Sequence, residues 1–580
     1  MTMQLRRRAR KWLEATHGPL FELHRHYARQ LFENELITSP DDLRRVVITC
    51  LAAIASIGFI VPKLYYKKYE FLSLGPNADL YRRAIYADQI FFIVMTSLGI
   101  AALVTFQWDS LFPSRQDYLI MRALPLKLSH IYFAKLTTLC ALVVLIIVLL
   151  NVPCAVSFAS VISGAHDLAP SWLETFAEFA AAFCAGVFVV FFLALLQTLL
   201  MNLVPLRWYS RVSASVQSLL LVAVLCAIPW AVDLPNAVHW VDWRPAWSGY
   251  APPLWYLALY EKLIGKASQP DSVLALRGIE ALTAAIAATI LVSVLFHRRY
   301  AKRIFESELK LRSSRIHLAE RIAELVARNP RESAILLFAL RSLERLKQHR
   351  MIRLVYAGVG CALLIESGIG LILSGAMSRG PIQRGAALDA AFALPLLLFF
   401  FLFTGLRYAF RIPVELRANW VFRLTAQDAN VERERALRLI YFGFALLPAV
   451  VTTLPFLLLV LIPREAVYGA CFAALIGLII IERELSNTDT IPLTCSYLPG
   501  KRNILHTGII YWLTVFGLTT ILTAFEAIGA ANPVRAALAI GVLAMILFRA
   551  QKREAATDFP ALRFDDMPEP AVATLGLARE

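Results

Sequence analysis

Charged residues are scarce in this sequence. They make up 17% of the 580 residues, against about 25% in a typical soluble domain, while hydrophobic residues reach 58%. No polar stretch is long enough to bury a core of its own, which excludes a sizeable soluble domain between the apolar runs. The composition therefore predicts a protein that is embedded in a membrane.

Motifs for disulfide bonding, metal binding and hydrolysis are missing as well. The eight cysteines are scattered, none belongs to a CxxC pair, and no histidine lies at metal-ligand spacing. The HExxH and GxSxG patterns of zinc proteases and serine hydrolases do not occur. We therefore expect no disulfide, no bound metal and no catalytic site on this chain.

Long apolar stretches dominate what remains. Each is about long enough to cross a hydrocarbon layer of ~30 Å at a helical rise of about 1.5 Å per residue. The pattern predicts an all-α polytopic membrane protein with about twelve transmembrane helices. The expected spans are 46–61, 85–106, 136–162, 172–204, 212–232, 273–296, 352–373, 388–410, 439–462, 466–481, 504–528 and 533–548.

The distribution of Lys and Arg predicts the topology. With the N-terminus inside, basic residues are about four times as frequent in the inner segments as in the outer loops. This bias predicts a multi-pass protein with both termini in the cytoplasm. It also attributes the net charge of +16 to membrane orientation, which argues against a nucleic-acid partner. The outer loop 63–83 is the one discordant segment, because it holds five basic residues.

The chain divides into two halves of six spans each. Residues 1–296 and 351–549 form the halves, and their parallel layouts suggest a pseudo-twofold axis along the membrane normal. A basic cytoplasmic connection, 297–350, joins them, and 550–580 is a polar tail for which we expect disorder. Each half opens with an amphipathic helix: 18–36, and a segment beginning at Pro330. Both are expected to lie in the membrane interface, and packing on their own loops is the alternative. In the first helix the apolar stripe consists of Leu20, Leu23, Tyr27 and Leu31.

Two inner loops occupy matching places, one after the second span of each half. A proline precedes a short helix in each loop, and in the first loop the helix is expected over 114–123. Tyr118, Leu119 and Arg122 would share one side of that helix, while Trp108 suits the membrane interface. The pair favours a dimeric cytoplasmic partner, and ordinary ordered loops are the alternative. The candidate contact residues are Asp109, Phe112, Pro113, Arg115, Asp117, Arg122, Arg411, Pro413, Glu415, Arg417, Asn419 and Arg423.

The outer loop 233–271 is rich in Trp and Pro, a composition that favours the lipid headgroup level. Trp247, Trp255 and Tyr256 are candidates for a substrate gate, and an interfacial cap is an equally good interpretation. A lipid-like or amphipathic substrate would suit this loop.

Several carboxylates lie in or beside the spans. Glu366 is near the middle of the seventh span, where a charge is costly, so it is a candidate transport residue. A protonated carboxyl or a pair with a neighbouring helix is the alternative. Glu178 flanks the start of the fourth span, and Glu482 and Glu484 are expected at the membrane interface.

The layout resembles an ABC transporter permease of the ABC-2 exporter type. The resemblance is carried by Phe-Pro-Ser-Arg-Gln-Asp-Tyr-Leu-Ile-Met-Arg-Ala-Leu-Pro-Leu at 112–126, Phe-Ala-Lys at 133–135, Pro-Pro-Leu-Trp-Tyr-Leu-Ala-Leu-Tyr-Glu at 252–261, and the string at 411–425. It implies a coupling helix between spans two and three that contacts an ATPase. The second half departs from the pattern, because only 529–532 separate its last two spans and leave no room for an outer membrane-dipping element.

The resemblance implies that ATP and Mg²⁺ are bound on a separate cytoplasmic ATPase subunit, itself a dimer. This chain has no GxxxxGK[ST] loop, since Gly500-Lys501 lacks both the upstream glycine and the following Ser or Thr. The implied protein is the permease subunit of an exporter in a bacterial inner membrane, with lipid and the ATPase as partners. Whether a second copy of the chain completes the pore stays open.

Two other classes of function stay open from the residues alone. An ion-coupled secondary transporter would use Glu366 as its coupling site. An integral-membrane enzyme acting on lipid-linked substrates would need polar residues clustered at one interface, and the sequence offers no convincing cluster.

Overall fold

The computed structural model describes residues 22–28, 40–73, 78–113, 115–121, 128–164, 171–235, 249–310, 321, 323–374, 381–412, 414, 430–486, 491, 493–494 and 504–556. Within these ranges the chain is 93% helical and holds no strand, which confirms the all-α membrane-protein fold class. Two compact units, Met1–Arg312 and Ser313–Glu580, divide the chain.

The helices of the first unit follow a short helical stretch at 22–28. They are α1 (Pro40–Lys63), α2 (Tyr66–Ser73), α3 (Ala78–Phe106), α4 (Arg115–Met121), α5 (Leu128–Gly164), α6 (Trp172–Leu203), α7 (Leu206–Asp233), α8 (Pro252–Leu263) and α9 (Gln269–Lys310). Those of the second unit are α10 (Pro330–Arg345), α11 (Lys347–Ser374), α12 (Pro381–Phe410), α13 (Asn430–Tyr441), α14 (Leu447–Val460), α15 (Pro463–Ser486), α16 (Ile504–Ala530) and α17 (Pro533–Ala556). A π-helical turn, Phe442–Leu446, joins α13 to α14.

Eleven helical segments among the described residues are long and apolar enough to cross a membrane. Five lie in the first unit (α3, α5, α6, α7 and α9) and six in the second, where α13 and α14 form one segment, Val431–Val460. The remaining expected span, 46–61, falls on α1, in which the side chains of 40–48 and of Cys50 are outside the described residues. The count of twelve therefore stays a prediction.

Local sequence explains where several helices begin and end. The hydroxyl of Ser171 accepts a hydrogen bond from the backbone N–H of Glu174 and caps α6, which ends just before Pro205. Proline occupies the first turn of α8, α10, α15 and α17, where the missing N–H costs nothing. Helix α4 lies inside the range 114–123 that the sequence predicts.

The second amphipathic helix, α10, differs from its expected setting. It begins at Pro330 as predicted, but its apolar side is covered by protein: Ile335, Leu336 and Leu343 are buried in the core of the second unit, and α13 packs against the helix. The sequence pattern identified the apolar face correctly. A neighbouring helix, not lipid, covers that face, because α13 offers buried Ala436 and Leu437 to the same core.

Candidate functional site

An ion pair fixes the first inner-loop helix. The ammonium of Lys135, in the second turn of α5, lies 2.7 Å from a carboxylate oxygen of Asp117 on α4. The two side chains are 9% and 5% exposed, so little water screens the pair. A seven-residue helix is marginal by itself, and this buried contact anchors α4 to the end of a long helix.

The helical stretch 22–28 covers this ion pair. The Tyr27 ring lies against the Lys135 ammonium, 5.3 Å from the ring centre, and the His24 imidazole is 2.7 Å from the Thr138 hydroxyl on α5. Leu23 and Tyr27 belong to the predicted apolar stripe and are buried in the same core as α4 and α5, so protein covers this part of the stripe. Burial, and then the nearby charge of Asp117, raise the pKa of Tyr27, so its hydroxyl stays neutral at physiological pH.

The segment that precedes α4 is equally well held. Trp108 is fully buried and its indole N–H donates to the Ser213 hydroxyl on α7 at 2.9 Å, while the Gln197 amide donates to the Trp108 carbonyl. Phe112 stacks on Tyr132 of α5 with 5.4 Å between ring centres. These contacts surround Trp108 with protein, and its placement at the membrane interface stays a prediction. Contacts from three helices immobilise this loop from behind.

The tip of α4 is apolar and exposed. Leu119 and Ile120 are 50% and 69% exposed, whereas Tyr118 is fully buried. Successive residues on a helix point about 100° apart, so Tyr118 and Leu119 face different surroundings, contrary to the expectation that they share a side. The helix thus presents two aliphatic side chains outward while the residues around them are held in place.

The candidate partner contacts of the first loop divide into two groups. Phe112, Pro113 and Asp117 are buried and hold the loop in shape. The side chains of Asp109 and Arg115, and the whole of Arg122, lie outside the described residues. Leu119 and Ile120, which the sequence did not single out, are the exposed residues of α4 in this description. Their signal was two adjacent aliphatic residues on a short loop helix.

The second inner loop is described only at its start. Arg411 is half-buried, while Pro413, Glu415, Arg417, Asn419 and Arg423 lie outside the described residues. Backbone hydrogen bonds join this start to a distant segment, from Leu493 N–H to the Phe410 carbonyl at 2.9 Å and from Val414 N–H to the Leu493 carbonyl at 3.0 Å.

Two ion pairs flank the second loop. Arg407, at the end of α12, lies 2.5 Å from Glu484, and Arg438 of α13 lies 2.6 Å from Glu482. The Glu482 side chain is 1% exposed and that of Glu484 is 11% exposed. Helices α12 and α13 cover both glutamates with arginine, and their placement at the membrane interface stays a prediction.

The outer gate candidates serve as packing residues where they are described. The Trp255 indole donates to the Gly249 carbonyl at 3.2 Å, and the Tyr256 hydroxyl donates to the Gly278 carbonyl of α9 at 3.4 Å. Both rings also pack against Phe188. Trp247 lies outside the described residues. The two described aromatic residues therefore fasten α8 onto α6 and α9.

A cavity of about 460 Å³ lies beside α8 in the first unit. It combines isoleucine and tyrosine side chains with three charged groups, and the Lys266 ammonium lies 3.8 Å from the Glu174 carboxylate. Burial raises the pKa of Tyr260 in its wall, so that hydroxyl stays neutral. The lining residues are Tyr81, Arg82, Ile85, Tyr86, Ile162, Glu174, Tyr260, Ile264 and Lys266. This mixture suits an amphipathic molecule.

A buried polar cluster near the same end of the first unit was missed by the sequence analysis. The fully buried Asp88 accepts a hydrogen bond from the Tyr69 hydroxyl at 2.6 Å and lies 2.7 Å from the Lys68 ammonium. Next to it, the Gln89 amide donates to Glu178 at 3.2 Å. Lys68 belongs to the discordant outer loop, so its charge is balanced locally by Asp88. An Asp-Gln pair inside an apolar run was the available signal.

Glu366, the transport candidate from the sequence, is half-buried on α11. Among the described residues, no group of three or more His, Cys, Asp and Glu side chains could hold a metal ion. No protein-family model, no curated protein and no solved structure matches this chain. Its function therefore has to be inferred from the geometry of the residues themselves.

Proposed function

We propose that this chain is the membrane subunit of an ATP-driven transporter whose ATP is hydrolysed on a separate cytoplasmic subunit. The observation that carries the proposal is the construction of α4: a short helix with an exposed apolar tip, Leu119 and Ile120, bound to α5 by the buried pair of Asp117 and Lys135. Such a helix can receive a partner and pass on its motion.

The anchoring of α4 suits it to transmit force. A displacement of the Leu119 tip moves Asp117, and Asp117 moves Lys135, because separating two buried opposite charges is costly. Lys135 lies in the second turn of the long helix α5, so the displacement reaches the membrane-crossing part of the protein. Leu23 and Tyr27 pack in the same core as α4 and extend the moving element to the 22–28 stretch.

The second inner loop takes the same role in the second unit under this proposal. The pairs Arg407–Glu484 and Arg438–Glu482 join the helices on either side of that loop to α15. A partner that pushes on the loop would therefore move several helices together. A dimeric ATPase would supply one contact for each loop.

The cargo that we propose is lipid-like or amphipathic, and export is the direction implied by the resemblance to ABC-2 permeases. The cavity beside α8 supports this choice of cargo, because isoleucine and tyrosine walls accompany Arg82, Glu174 and Lys266. An apolar chain and a charged headgroup would each find suitable neighbours there.

The test is recovery of the ATPase from the native membrane. Tagged chain is purified in mild detergent, and ATP hydrolysis and co-purifying proteins are measured for the wild type and for the double variant Leu119→Asp with Ile120→Asp. We expect the wild type to bring down a nucleotide-hydrolysing protein and the double variant to lose most of it. The matched control is Leu325→Asp, an exposed leucine in the second unit, which should retain the ATPase.

Two results would contradict the proposal. If the wild-type protein recruits no ATPase, the proposal of a separate ATP-hydrolysing subunit is wrong. If the wild type and the double variant recover equal amounts of the ATPase, α4 is not the contact for that subunit.

A second candidate function is ion-coupled transport without ATP. It is favoured by the buried carboxyl groups within spans, of which Glu178 is hydrogen-bonded to Gln89. It predicts uptake by purified protein in liposomes under an ion gradient alone, and loss of that uptake in Glu178→Gln. Transport that requires ATP and the co-purified subunit would reject it.

A further inference from the structure

A buried carboxyl group lies at the seam between α15 and α16 in the second unit. Glu526, on α16, is 0% exposed. Among the described residues neither of its carboxyl oxygens has a hydrogen-bond partner. Asp88, Asp117 and Glu482 are also buried, but each lies against a lysine or an arginine, so Glu526 differs from these three.

Two glycines make room for polar groups across this seam. A Cβ atom on Gly469 of α15 would lie 3.0 Å from a carboxyl oxygen of Glu526 and 2.9 Å from the Phe392 ring. In the other direction, a Cβ atom on Gly529 of α16 would overlap the hydroxyl oxygen of Tyr468. Each helix thus has a glycine at the point where the polar side chain of the other helix, Glu526 or Tyr468, packs against it.

Tyr468 is the second unusual group at the seam. It is 8% exposed, and among the described residues its hydroxyl has no hydrogen-bond partner. Its ring meets Phe392 of α12 edge to face, with 6.4 Å between ring centres. The Glu526 carboxyl and the Tyr468 hydroxyl are therefore both buried in this seam, next to the Phe392 ring and glycine backbone.

Charged groups on the helices packed against α16 do not satisfy Glu526. Those near the same end are Asp389 on α12, Arg464 and Glu465 on α15, and Arg535 on α17. Asp389, Arg464 and Arg535 are exposed, and none of the four is hydrogen-bonded to Glu526. An ionised carboxylate removed from water and from partners is far less stable than the neutral acid. The described surroundings therefore favour the protonated form.

We propose that Glu526 is a proton-binding site. In the closed seam the carboxyl group carries a proton, and parting of α15 from α16 admits water, to which the acid releases that proton as a hydronium ion while Glu526 becomes a carboxylate. Closing the seam requires the proton to return. Protonation of Glu526 is thus linked to the packing of the last helices, independently of any ATPase that contacts α4.

Infrared spectroscopy of the purified chain in lipid nanodiscs tests the protonation state directly. The spectrum of Glu526→Gln is subtracted from that of the wild type at neutral pH. We expect the difference to contain the C=O stretching band of a protonated carboxylic acid. The matched control is Asp389→Asn, an exposed carboxyl on the adjacent α12, whose difference spectrum should contain carboxylate bands only. Loss of carboxylate bands in Glu526→Gln, as for a group that holds a metal cation, would overturn the proposal.

Unfolding measurements give an independent readout that does not depend on assigning a band. A group that is protonated when folded and ionised when unfolded makes folding less favourable as pH rises above the ordinary range of a glutamate. The folded-to-unfolded ratio of the wild type, relative to Glu526→Gln, should fall about tenfold per pH unit. A ratio that is independent of pH would also overturn the proposal. Neither measurement involves the ATPase, so failure here leaves the coupling proposal intact, and the reverse holds as well.

Discussion

Asp88 in the first unit and Glu526 in the second make an instructive comparison. Both are fully buried. Each lies toward one end of its helix, and the expected topology places that end at the outer side of the membrane. Asp88 is held by the ammonium of Lys68 and the hydroxyl of Tyr69, whereas Glu526 has no hydrogen-bond partner among the described residues. The same chemical group therefore has a structural role in one unit and, in our proposal, a titrating role in the other.

At their expected cytoplasmic ends, both units pair a buried carboxylate with a basic side chain. Asp117 is paired with Lys135 in the first unit, and Glu482 with Arg438 in the second. Buried ion pairs hold helices in a fixed register, since either partner alone would be a costly buried charge. The two units thus differ in whether a buried carboxyl group has a partner at the expected outer end, and they agree at the expected cytoplasmic end.

The largest effect should come from breaking the buried pair behind α4. Lys135→Met keeps the volume but leaves the Asp117 carboxylate without its ammonium partner, so the free energy of unfolding in mixed micelles should fall by about 3–5 kcal/mol. Adding Asp117→Asn to this variant should recover much of the lost free energy of unfolding. A double variant as unstable as the single one would show that the pair matters for shape and not for charge.

A smaller loss is expected where glycine allows two backbones to meet. A methyl group on Gly58 of α1 would overlap the backbone carbonyl of Leu150 on α5, so Gly58→Ala should lower the free energy of unfolding by about 3 kcal/mol. At Gly529 the obstacle is the hydroxyl end of Tyr468, which can turn away, and the loss should be smaller. Gly99→Ala is the control, because nothing lies within 4 Å of its Cβ position and the helix should gain about 0.5–1 kcal/mol. Equal thermal midpoints for all three variants would refute this ranking.

The comparison of Asp88 with Glu526 can be tested by matched amide substitutions. Asp88→Asn removes the negative charge that pairs with Lys68. Because the lysine side chain is 27% exposed and water can solvate part of its charge, the free energy of unfolding should fall by only about 2 kcal/mol. Glu526→Gln should lose less than Asp88→Asn at neutral pH, and its stability relative to the wild type should rise by about 1.4 kcal/mol per pH unit on going alkaline. Unfolding of both variants at several pH values is the measurement. Identical pH profiles would end the distinction between the two carboxyl groups.

The smallest effect on stability is expected at the exposed tip of α4. Ile120→Ser should change the free energy of unfolding by no more than about 0.5 kcal/mol, because the side chain is 69% exposed. The same substitution should weaken recovery of the ATPase. A large loss of stability would mean that Ile120 is buried in the membrane-embedded protein and is not a docking residue.

Features that depend on neighbouring residues along the chain could be predicted. The position of α4 follows from Pro113 and Pro125 on either side of a short helical pattern, and the burial of Leu23 and Tyr27 follows from their spacing on one stripe. The covering of α10 by α13 could not be predicted, since an amphipathic face looks the same whether lipid or protein lies against it.

The sequence by itself determined an all-helical membrane body, because the length and apolarity of a run are local properties that decide whether a segment can cross a bilayer. Only the tertiary structure decided which buried ionisable groups have partners. Lys135 meets Asp117 across 18 positions and Arg438 meets Glu482 across 44, while Glu526 faces the glycine backbone of α15. Such pairings depend on the rotation of each helix and on which helix lies beside it, and hydropathy carries information about neither.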